Sequence, residues 1–286
     1  MSLFVTSLNS GSNGNCYYVG NAEEAVLIDA GISCRETEKR LARLGLDPRK
    51  IKAIFITHEH VDHIQGVGSL VKKYQLPVYI TARTFTESGL RLSPEWIYPL
   101  QAHTSVKLGN LVIMAFPKFH DAIDPLSMVI SCGNVRVGVF TDIGKVCEHV
   151  LYHFKQCHAV FLEANYDEEL LEKGRYPIAL KRRIRGGRGH LSNKEALELF
   201  LAHRPSYMSH VFLSHLSHEN NHPGLAQSLF QSVAGKTEIV VASRFEETAV
   251  YTIRHPNDLP SPPLSSLLVP RTLGKRAKDP SQLSLF

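Results

Sequence analysis

Residues 55–66 have the sequence FITHEHVDHIQG and place three histidines and two acidic residues within positions 58–63. The apolar run IKAIFI leads directly into them, which predicts a buried strand that ends in a cluster of ionisable groups. Removing so many ionisable side chains from water is costly unless another group compensates. A bound metal ion would compensate, so this stretch predicts a metal site at the end of a strand.

The spacing within this stretch suits two adjacent ions. His58 and His60 alternate on an extended segment, so both rings can point to the same side. Asp62 and His63 follow where the chain is predicted to turn into a helix. We expect His58 and His60 to bind one ion, and Asp62 and His63 to bind the other. A histidine-rich polar loop without metal is the alternative.

Three further residues of ligand type each end an apolar run elsewhere in the chain. His120 follows VIMAFPKF, Asp142 follows VRVGVFT, and His215 follows HVFLS. Each alone is as consistent with a polar loop, but a two-metal site needs several ligands from one edge of the sheets. We therefore assign His120 to the first ion and His215 to the second. Asp142 is predicted to bridge, because a carboxylate has two oxygens.

Two ions at such a site can share a hydroxide and stabilise an in-line displacement at phosphorus. Mixed histidine and aspartate ligation suits zinc, manganese or iron, so the sequence does not select the metal. The expected cofactor is two divalent metal ions per chain.

Composition limits the other possibilities. The chain has 286 residues, of which 43% are apolar and 21% charged, as in an ordinary globular protein. No run of 18 apolar residues and no export signal occur, which predicts a cytoplasmic protein without a membrane span. Five scattered cysteines without a CxxC pair predict free thiols. The net charge of +5 is compatible with an anionic substrate.

Strand and helix patterns alternate in both halves of the chain. Helices are predicted over 35–45, 67–75 and 192–204, the last with Ser192 and Glu195 forming a capping box, and PVYITAR is predicted as a strand. This order predicts an α/β (α+β) fold in which two sheets pack face to face with helices outside, a four-layer αβ/βα sandwich. From residue 256 proline, serine and basic residues cluster without periodicity, so a domain over 1–255 and a flexible tail over 256–286 are expected.

The motif THEHVDH, with its downstream ligands, resembles the metallo-β-lactamase superfamily, and more closely the YycJ/WalJ group of bacterial metallohydrolases. Segments such as SLNSGSNGNCYYV, LIDAGIS, FPKFHDAIDP, RGHLSN and LSHLSHENN resemble that group over about residues 3–253. The resemblance implies the metallo-β-lactamase sandwich of two mixed sheets, a dinuclear site, and 5′ to 3′ exonuclease action on DNA. It also implies that Asp29 orders the loop of His58 and His60 without binding metal.

A second likeness concerns the phosphate. GHLSN, with LSHLS further on, resembles the tRNA-processing RNase Z enzymes and related phosphodiesterases. It implies that His190 contacts the scissile phosphate or protonates the leaving oxygen, while Asp62 is the other expected catalytic residue. A histidine can carry a proton near neutral pH. The alternative is that His190 only precedes a helix cap. Ser217, Asn220 and Asn221 are candidate phosphate contacts.

The segment LKRRIRGGRGH, residues 180–190, concentrates positive charge before His190. Such a run is either a solvated helix face or a track for a nucleic-acid backbone. Beside a site that cleaves phosphodiesters we favour the track, with Arg185 and Arg188 as substrate contacts.

The last five residues, Gln282, Leu283, Ser284, Leu285 and Phe286, resemble the pentapeptide by which bacterial proteins bind the DNA polymerase sliding clamp. In that interpretation Leu285 and Phe286 are apolar anchors on a tethered segment, which would raise the local concentration of the enzyme on DNA. An apolar end that packs on its own domain is the alternative.

The function predicted from the sequence is a dinuclear-metal-dependent phosphodiesterase, a 5′–3′ DNA exonuclease that serves replication or mismatch repair. A cyclic-nucleotide or small-molecule phosphodiesterase and an RNA-processing nuclease stay open, because the same site would serve them. Lactam or thioester hydrolysis is disfavoured, since no cysteine falls at a ligand position. An adaptor without catalysis is disfavoured by the complete ligand set.

Overall fold

The computed structural model describes residues 1–258, and its strands alternate with helices throughout that range. The strands are β1 Ser2–Asn9, β2 Cys16–Gly20, β3 Ala25–Ile28, β4 Ile51–Phe55, β5 Val78–Ile80, β6 Ile97–Pro99, β7 Ser105–Leu108, β8 Leu111–Pro117, β9 Leu126–Cys132, β10 Val135–Phe140, β11 Ala159–Glu163, β12 His210–Ser214, β13 Glu238–Val241 and β14 Tyr251–Arg254.

The helices are α1 Cys34–Arg43, α2 Val61–Ile64, α3 Val67–Tyr74, α4 Ala82–Ser88, α5 Glu148–Phe154, α6 Glu168–Lys173, α7 Ile178–Ile184, α8 Asn193–His203 and α9 Pro223–Gln231. The short helix α2 contains Asp62 and His63, and α7 leads into the loop that carries His190.

The strands form two mixed sheets of the same design. The first has the order β14-β1-β2-β3-β4-β5-β6 and the second the order β13-β12-β11-β10-β9-β8-β7. Each sheet has three antiparallel pairings on one side and three parallel pairings on the other, with the parallel side at β6 in the first sheet and at β13 in the second. Parallel strands end at the same edge of a sheet, so the loops after β4, β10, β11 and β12 gather at corresponding edges.

Three apolar clusters separate four layers. The middle one joins the two sheets, with Val5 and Ile28 packing in the same cluster as Val137 and Phe161. A second cluster packs α1 and α3 on the first sheet, and a third packs α5, α8 and α9 on the second sheet. The predicted four-layer sandwich of two mixed sheets flanked by helices is therefore confirmed.

Most predicted elements are present, with one clear correction. The capping box of α8 is formed, since Glu195 N donates to Ser192 Oγ at 3.1 Å and Ser192 N donates to Glu195 Oε2 at 2.8 Å. The predicted strand PVYITAR, in contrast, stops at Ile80. Thr81 then caps α4 by accepting a hydrogen bond from Thr84 N at 3.1 Å, a local signal that favours a helix over a longer strand.

All five cysteines are free, as predicted. Between residues 1 and 258, no helix is both long and apolar enough to cross a membrane. The proposed clamp motif at 282–286 lies outside the described residues.

Candidate metal centre

The candidate ligands lie where strands of both sheets end. His58 and His60 follow β4, His120 follows β8, Asp142 follows β10, and His215 follows β12. Two of them have a left-handed backbone, with φ of 55° at Asp142 and 56° at His215. This conformation is costly for residues other than glycine and is typical of functional sites.

One group of three imidazoles is formed by His58, His60 and His120. Nε2 of His58 lies 3.1 Å from Nδ1 of His60, and Nε2 of His120 lies 3.4 Å from that same atom. One nitrogen from each ring falls within 4.8 Å of the other two. The structure therefore brings together the three residues that we assigned to the first ion.

A second group contains Asp62, His63 and His215. Oδ2 of Asp62 lies 3.5 Å from His63 Nε2 and 3.7 Å from His215 Nε2. Asp142 stands between the groups, with Oδ2 3.4 Å from His63 Nε2 and Oδ1 3.9 Å from His120 Nε2. A carboxylate in this position can contact a cation in either group.

The neighbours of two imidazoles fix which nitrogen faces the cluster. Nδ1 of His63 lies 2.7 Å from Asp29 Oδ2, and Nδ1 of His215 lies 3.0 Å from Glu163 Oε1. Because an ionised carboxylate only accepts hydrogen bonds, both Nδ1 atoms must donate. Nε2 of each neutral ring then presents a lone pair to the cluster, which is the state that binds a metal.

The same reasoning applies on the other side. Nδ1 of His120 lies 3.1 Å from the carbonyl oxygen of Gly189 and must donate to it. The hydroxyl of Thr57 donates to Asp29 Oδ2 at 2.8 Å, so its oxygen can accept from Nδ1 of His58, also at 2.8 Å. Nε2 is therefore the free nitrogen of His58 and of His120.

The charges of the cluster favour a bound cation. Asp142 Oδ2 and His215 Nε2 are buried and lack a hydrogen bond within the described part of the chain. Burial alone would lower the pKa of His63, but Asp142, Asp29 and Asp62 raise this pKa to about 10. These carboxylates would thus favour a second proton on the His63 ring, at Nε2, because Nδ1 already carries the proton that it donates to Asp29. A divalent cation supplies that charge instead, so the donor set fits divalent metal binding.

Asp29 supports the loop, as the resemblance implied. Besides His63 it accepts the backbone N–H of Thr57 at 2.8 Å, which lies directly before His58. Asn15, which the sequence analysis did not single out, adds support from the turn SGSNGN. Its Nδ2 lies 3.1 Å from both Asp62 Oδ2 and His63 Nε2. The position of Asn15 in a glycine-rich turn was the sequence feature that could have indicated this role.

Glu163 is the other residue that the sequence analysis missed. It ends β11 and is fully buried, and its Oε1 lies 2.8 Å from Nδ1 of His190. Burial would raise the pKa of this carboxyl group, but His190 and His215 lower it to about 2. Like Asp142, it is an acidic residue at the end of an apolar run, and that pattern was the signal.

The predicted phosphate contacts separate into different environments. Ser217 lines a cavity of about 200 Å³ together with His190 and His215. Asn220 is buried outside the walls described for that cavity, and its Oδ1 faces Gly174. Asn221 uses both hydrogens of its amide on protein oxygens, which are the carbonyls of 164 and 165 and Oδ1 of Asn193. These bonds give Asn221 a role in holding the loop, and its contact with phosphate stays a prediction.

The basic run contributes one arginine to the walls described for this cavity. Arg183, rather than Arg185 or Arg188, lines the cavity beside His190, and it pairs with Asp121. Arg185 pairs with Glu172 at 2.9 Å, and Arg188 is exposed. Arg185 and Arg188 follow the end of α7, and their contact with a nucleic-acid backbone stays a prediction.

Comparisons with known proteins agree with this geometry. The family model described as the metallo-beta-lactamase superfamily matches residues 10–190. The exodeoxyribonuclease YycJ of Bacillus anthracis is 33% identical over 252 residues, which cover 86% of this chain and 94% of that protein. The exodeoxyribonuclease WalJ of Streptococcus pneumoniae is 31% identical over 244 residues, covering 84% and 91%.

Solved structures show the same fold at low sequence identity. The metallo-beta-lactamase fold protein YhfI of Bacillus subtilis superposes with a TM-score of 0.68 at 16% identity, covering 88% of this chain and all of that one. Human tRNase Z, short form, superposes with a TM-score of 0.59 at 18% identity, covering 86% and 98%. The chain belongs to the metallo-β-lactamase superfamily of metallohydrolases, within its YycJ/WalJ-like group.

Proposed function

We propose that this protein is a dinuclear-metal-dependent nuclease that removes nucleotides from the 5′ end of DNA. The observation that carries the proposal is the convergence of imidazoles and carboxylates beside a cavity that contains His190 and Ser217. The direction of degradation is the one that the resemblance to the YycJ/WalJ group implies.

In this proposal each ion has ligands from both halves of the sandwich. The first ion would be held by His58, His60 and His120 and the second by Asp62, His63 and His215, with Asp142 as a ligand available to both. Zinc, manganese and iron all suit such ligands. When bound, two such ions activate water and stabilise negative charge at phosphorus.

The chain itself supplies the proton transfers. The carboxylate of Asp62 is partly exposed at the mouth of the cluster and orients the attacking water by accepting a hydrogen bond. Nδ1 of His190 donates to Glu163, which leaves Nε2 as the nitrogen that gives a proton to the leaving oxygen. Ser217, at the edge of the same cavity, holds a phosphate oxygen.

The relatives favour DNA over RNA. The exodeoxyribonucleases align with 86% and 84% of this chain. The relatives named ribonuclease Z and ribonuclease J 1 align with only 40% and 41% of this chain. The likeness to the ribonucleases is therefore confined to part of the fold, whereas the likeness to the exodeoxyribonucleases is nearly complete.

The test is direct. The purified protein, with Mn²⁺ or Zn²⁺, is incubated with single- and double-stranded DNA and with RNA, each labelled at the 5′ or the 3′ end. We expect DNA carrying a 5′ label to release labelled nucleotide at once, while DNA carrying a 3′ label shortens progressively. Asp62→Ala should lower the rate at least 100-fold, because one ion loses a ligand and the water loses its acceptor.

Asp47→Ala is the matched control, since Asp47 caps a short helix on the surface and should leave the rate unchanged. Degradation of RNA alone would contradict the proposal. Hydrolysis of a cyclic nucleotide without attack on any polymer would support the alternative phosphodiesterase.

We further propose that the activity serves replication or mismatch repair through the sliding clamp. The support is the C-terminal sequence Gln282, Leu283, Ser284, Leu285 and Phe286, which resembles a clamp-binding pentapeptide. The tail over 256–286 would act as the tether between the clamp and the catalytic domain.

A further inference from the structure

A second cavity, of about 410 Å³, adjoins the candidate metal centre. Its walls are the loop that follows β12 and the loop that follows β13, and Ser10 forms part of its floor. The walls are largely apolar, with Leu216, Pro223 and Val241 among them. Serine, histidine, asparagine and arginine residues line it as well, and a concave site of this size that combines apolar walls with polar groups is typical of a small-molecule or nucleotide pocket.

Two serines connect this cavity to the metal centre. Ser217 lines both this cavity and the smaller one that contains His190 and His215. The hydroxyl of Ser10 accepts the backbone N–H of His215 at 2.8 Å. A strand whose scissile phosphate lay at the metals would therefore have its next nucleotide at the mouth of the larger cavity.

Arg244 offers a positive charge on the wall. Its Nη1 is buried and has no hydrogen-bond partner among residues 1–258. The backbone carbonyl of Arg244 accepts Asn13 Nδ2 at 2.8 Å, which anchors the residue to the turn that carries Asn15. Glu246, the acidic residue among the described walls, is exposed to solvent. An unsatisfied guanidinium nitrogen is a ready donor to a phosphate oxygen.

Phe245 offers an aromatic face beside that charge. Its side chain is 73% exposed, the largest exposed fraction among the aromatic residues of the described chain. The ring centroid lies 6.0 Å from the guanidinium of Arg244 and 6.4 Å from the ring of His218. Exposed aromatic rings next to a basic group are how proteins hold the bases of single-stranded nucleic acid.

We propose that this cavity is a nucleotide subsite for single-stranded DNA, in which Phe245 stacks on the base adjoining the scissile phosphate and Arg244 binds that nucleotide's phosphate. The inference rests on the proposed nuclease function and names the substrate form as an unpaired strand, since a base inside a duplex has both faces covered by the neighbouring base pairs. Stacking accounts for binding without sequence preference, because every base presents a face.

The first experiment measures binding. The holoprotein is titrated with fluorescent dT10 whose phosphorothioate linkages slow hydrolysis. We expect Phe245→Ala to weaken binding about 5- to 100-fold, as for loss of one stacked base, and Phe245→Trp to retain it. Arg244→Met should reduce the slope of log K against log salt by about 0.7, the value for one phosphate contact on a single strand.

Matched controls come from the same residue types elsewhere. Tyr152→Ala removes another exposed aromatic ring. Arg91→Met removes an exposed arginine in the segment before β6, which is the edge strand of the first sheet at the other end from β14. Neither should change binding or its salt dependence. The small ester bis(p-nitrophenyl) phosphate, which needs only the metal centre, should be hydrolysed equally by the wild-type protein and Phe245→Ala.

The outcomes separate the two proposals. If the wild-type protein degrades DNA and Phe245→Ala binds dT10 as tightly as wild type, the subsite is overturned while the nuclease proposal stands. Equal losses on dT10 and on the small ester would make Phe245 structural and would also overturn the subsite. A wild-type protein that cleaves the ester but neither binds nor degrades DNA refutes both.

Discussion

Glu163 shows how a buried carboxylate can organise a metal centre from outside the ligand set. Its Oε1 faces Nδ1 of His190 and of His215, at 2.8 and 3.0 Å. Its Oε2 accepts the backbone N–H groups of Ile143 and Leu191, at 2.7 and 3.1 Å. Two carboxylate oxygens have about four lone-pair sites, so these four donors use all of them. Glu163 is thus a positioning residue, although it also belongs to a group whose ligand-type atoms lie within 4.8 Å of one another, formed with Asp142, His190 and His215.

We expect Glu163→Gln to lower kcat about 10- to 100-fold and to weaken metal binding over a similar range. A glutamine oxygen can replace only one of the two carboxylate oxygens, and the amide N–H₂ must face either two imidazole N–H groups or two backbone N–H groups. Turnover of bis(p-nitrophenyl) phosphate and metal content after dialysis measure the two effects.

The matched control is Glu169→Gln, a surface carboxylate on α6 that pairs with Lys173 and should leave both quantities unchanged. A Glu163→Gln protein with wild-type turnover and metal content would show that the hydrogen bonds of Glu163 do not position the imidazoles.

The roles of single residues were predictable only where a pattern of neighbouring residues in the sequence indicates them. A ligand-type side chain after an apolar run identified His120, Asp142 and His215, which the fold brings to one edge. The same rule could not distinguish a predicted ligand such as Asp142 from a positioning residue such as Glu163, because it does not say which hydrogen-bond donors surround a carboxylate. The hydrogen bonds of Asn221 were not predictable for the same reason, since its partners come from segments distant in sequence.

At the scale of elements, close packing of two turns holds the ligand loop. Gly31, after β3, lies against the turn that contains Asp62, and a Cβ added to Gly31 would fall 1.7 Å from the carbonyl oxygen of Asp62. Asn15 N donates to that carbonyl at 2.7 Å, and Gly31 N donates to the carbonyl of Asn15 at 2.8 Å. Any side chain at residue 31 must therefore displace the loop that presents Asp62 and His63.

We expect Gly31→Ala to abolish binding of the second ion and to lower the free energy of unfolding by about 2 kcal/mol or more, as for other overpacked sites. Gly68→Ala is the matched control. Gly68 lies in α3, and a Cβ there meets nothing within 4 Å, so this change should leave stability unchanged or raise it by up to about 1 kcal/mol.

Chemical denaturation measures stability, and metal analysis measures occupancy. Equal behaviour of the two alanine variants would show that the contact between Gly31 and Asp62 does not constrain the loop.

Elements were predictable where local signals and tertiary packing agree. The capping box at Ser192 and Glu195 starts α8 as expected, because both bonds lie within one turn. The strand predicted over PVYITAR ends at Ile80 because Thr81 caps a helix there. The apolar and β-branched residues of that segment concealed the cap, and only pairing with β4 and β6 sets the length of β5.

At the scale of the whole molecule, the site belongs to neither half alone. His58, His60, Asp62 and His63 follow a strand of the first sheet, whereas His120, Asp142 and His215 follow strands of the second. Each proposed ion therefore joins both sheets, and the sandwich must close before either ion has its ligands. Alternation of strands and helices predicted the layers, but the order of strands within each sheet depends on pairings that span the chain.

The tail prediction also belongs to this scale, since it concerns where the enzyme acts. We expect deletion of residues 282–286 from the full chain to abolish retention on immobilised sliding clamp, because the two apolar anchors and the glutamine of the motif are removed. Turnover on short oligonucleotides should not change, whereas stimulation by a clamp loaded on long DNA should disappear along with the tether.

A paired substitution makes this test specific. Leu285→Ala with Phe286→Ala should reproduce the deletion, while Leu267→Ala with Leu268→Ala alters apolar residues elsewhere in the same tail and should leave retention intact. Retention of the deleted protein would refute the clamp assignment. Loss of retention in both paired variants would show that general apolar character of the tail, and not the terminal motif, carries the contact. Neither result would bear on the metal centre, because the two proposals rest on different residues.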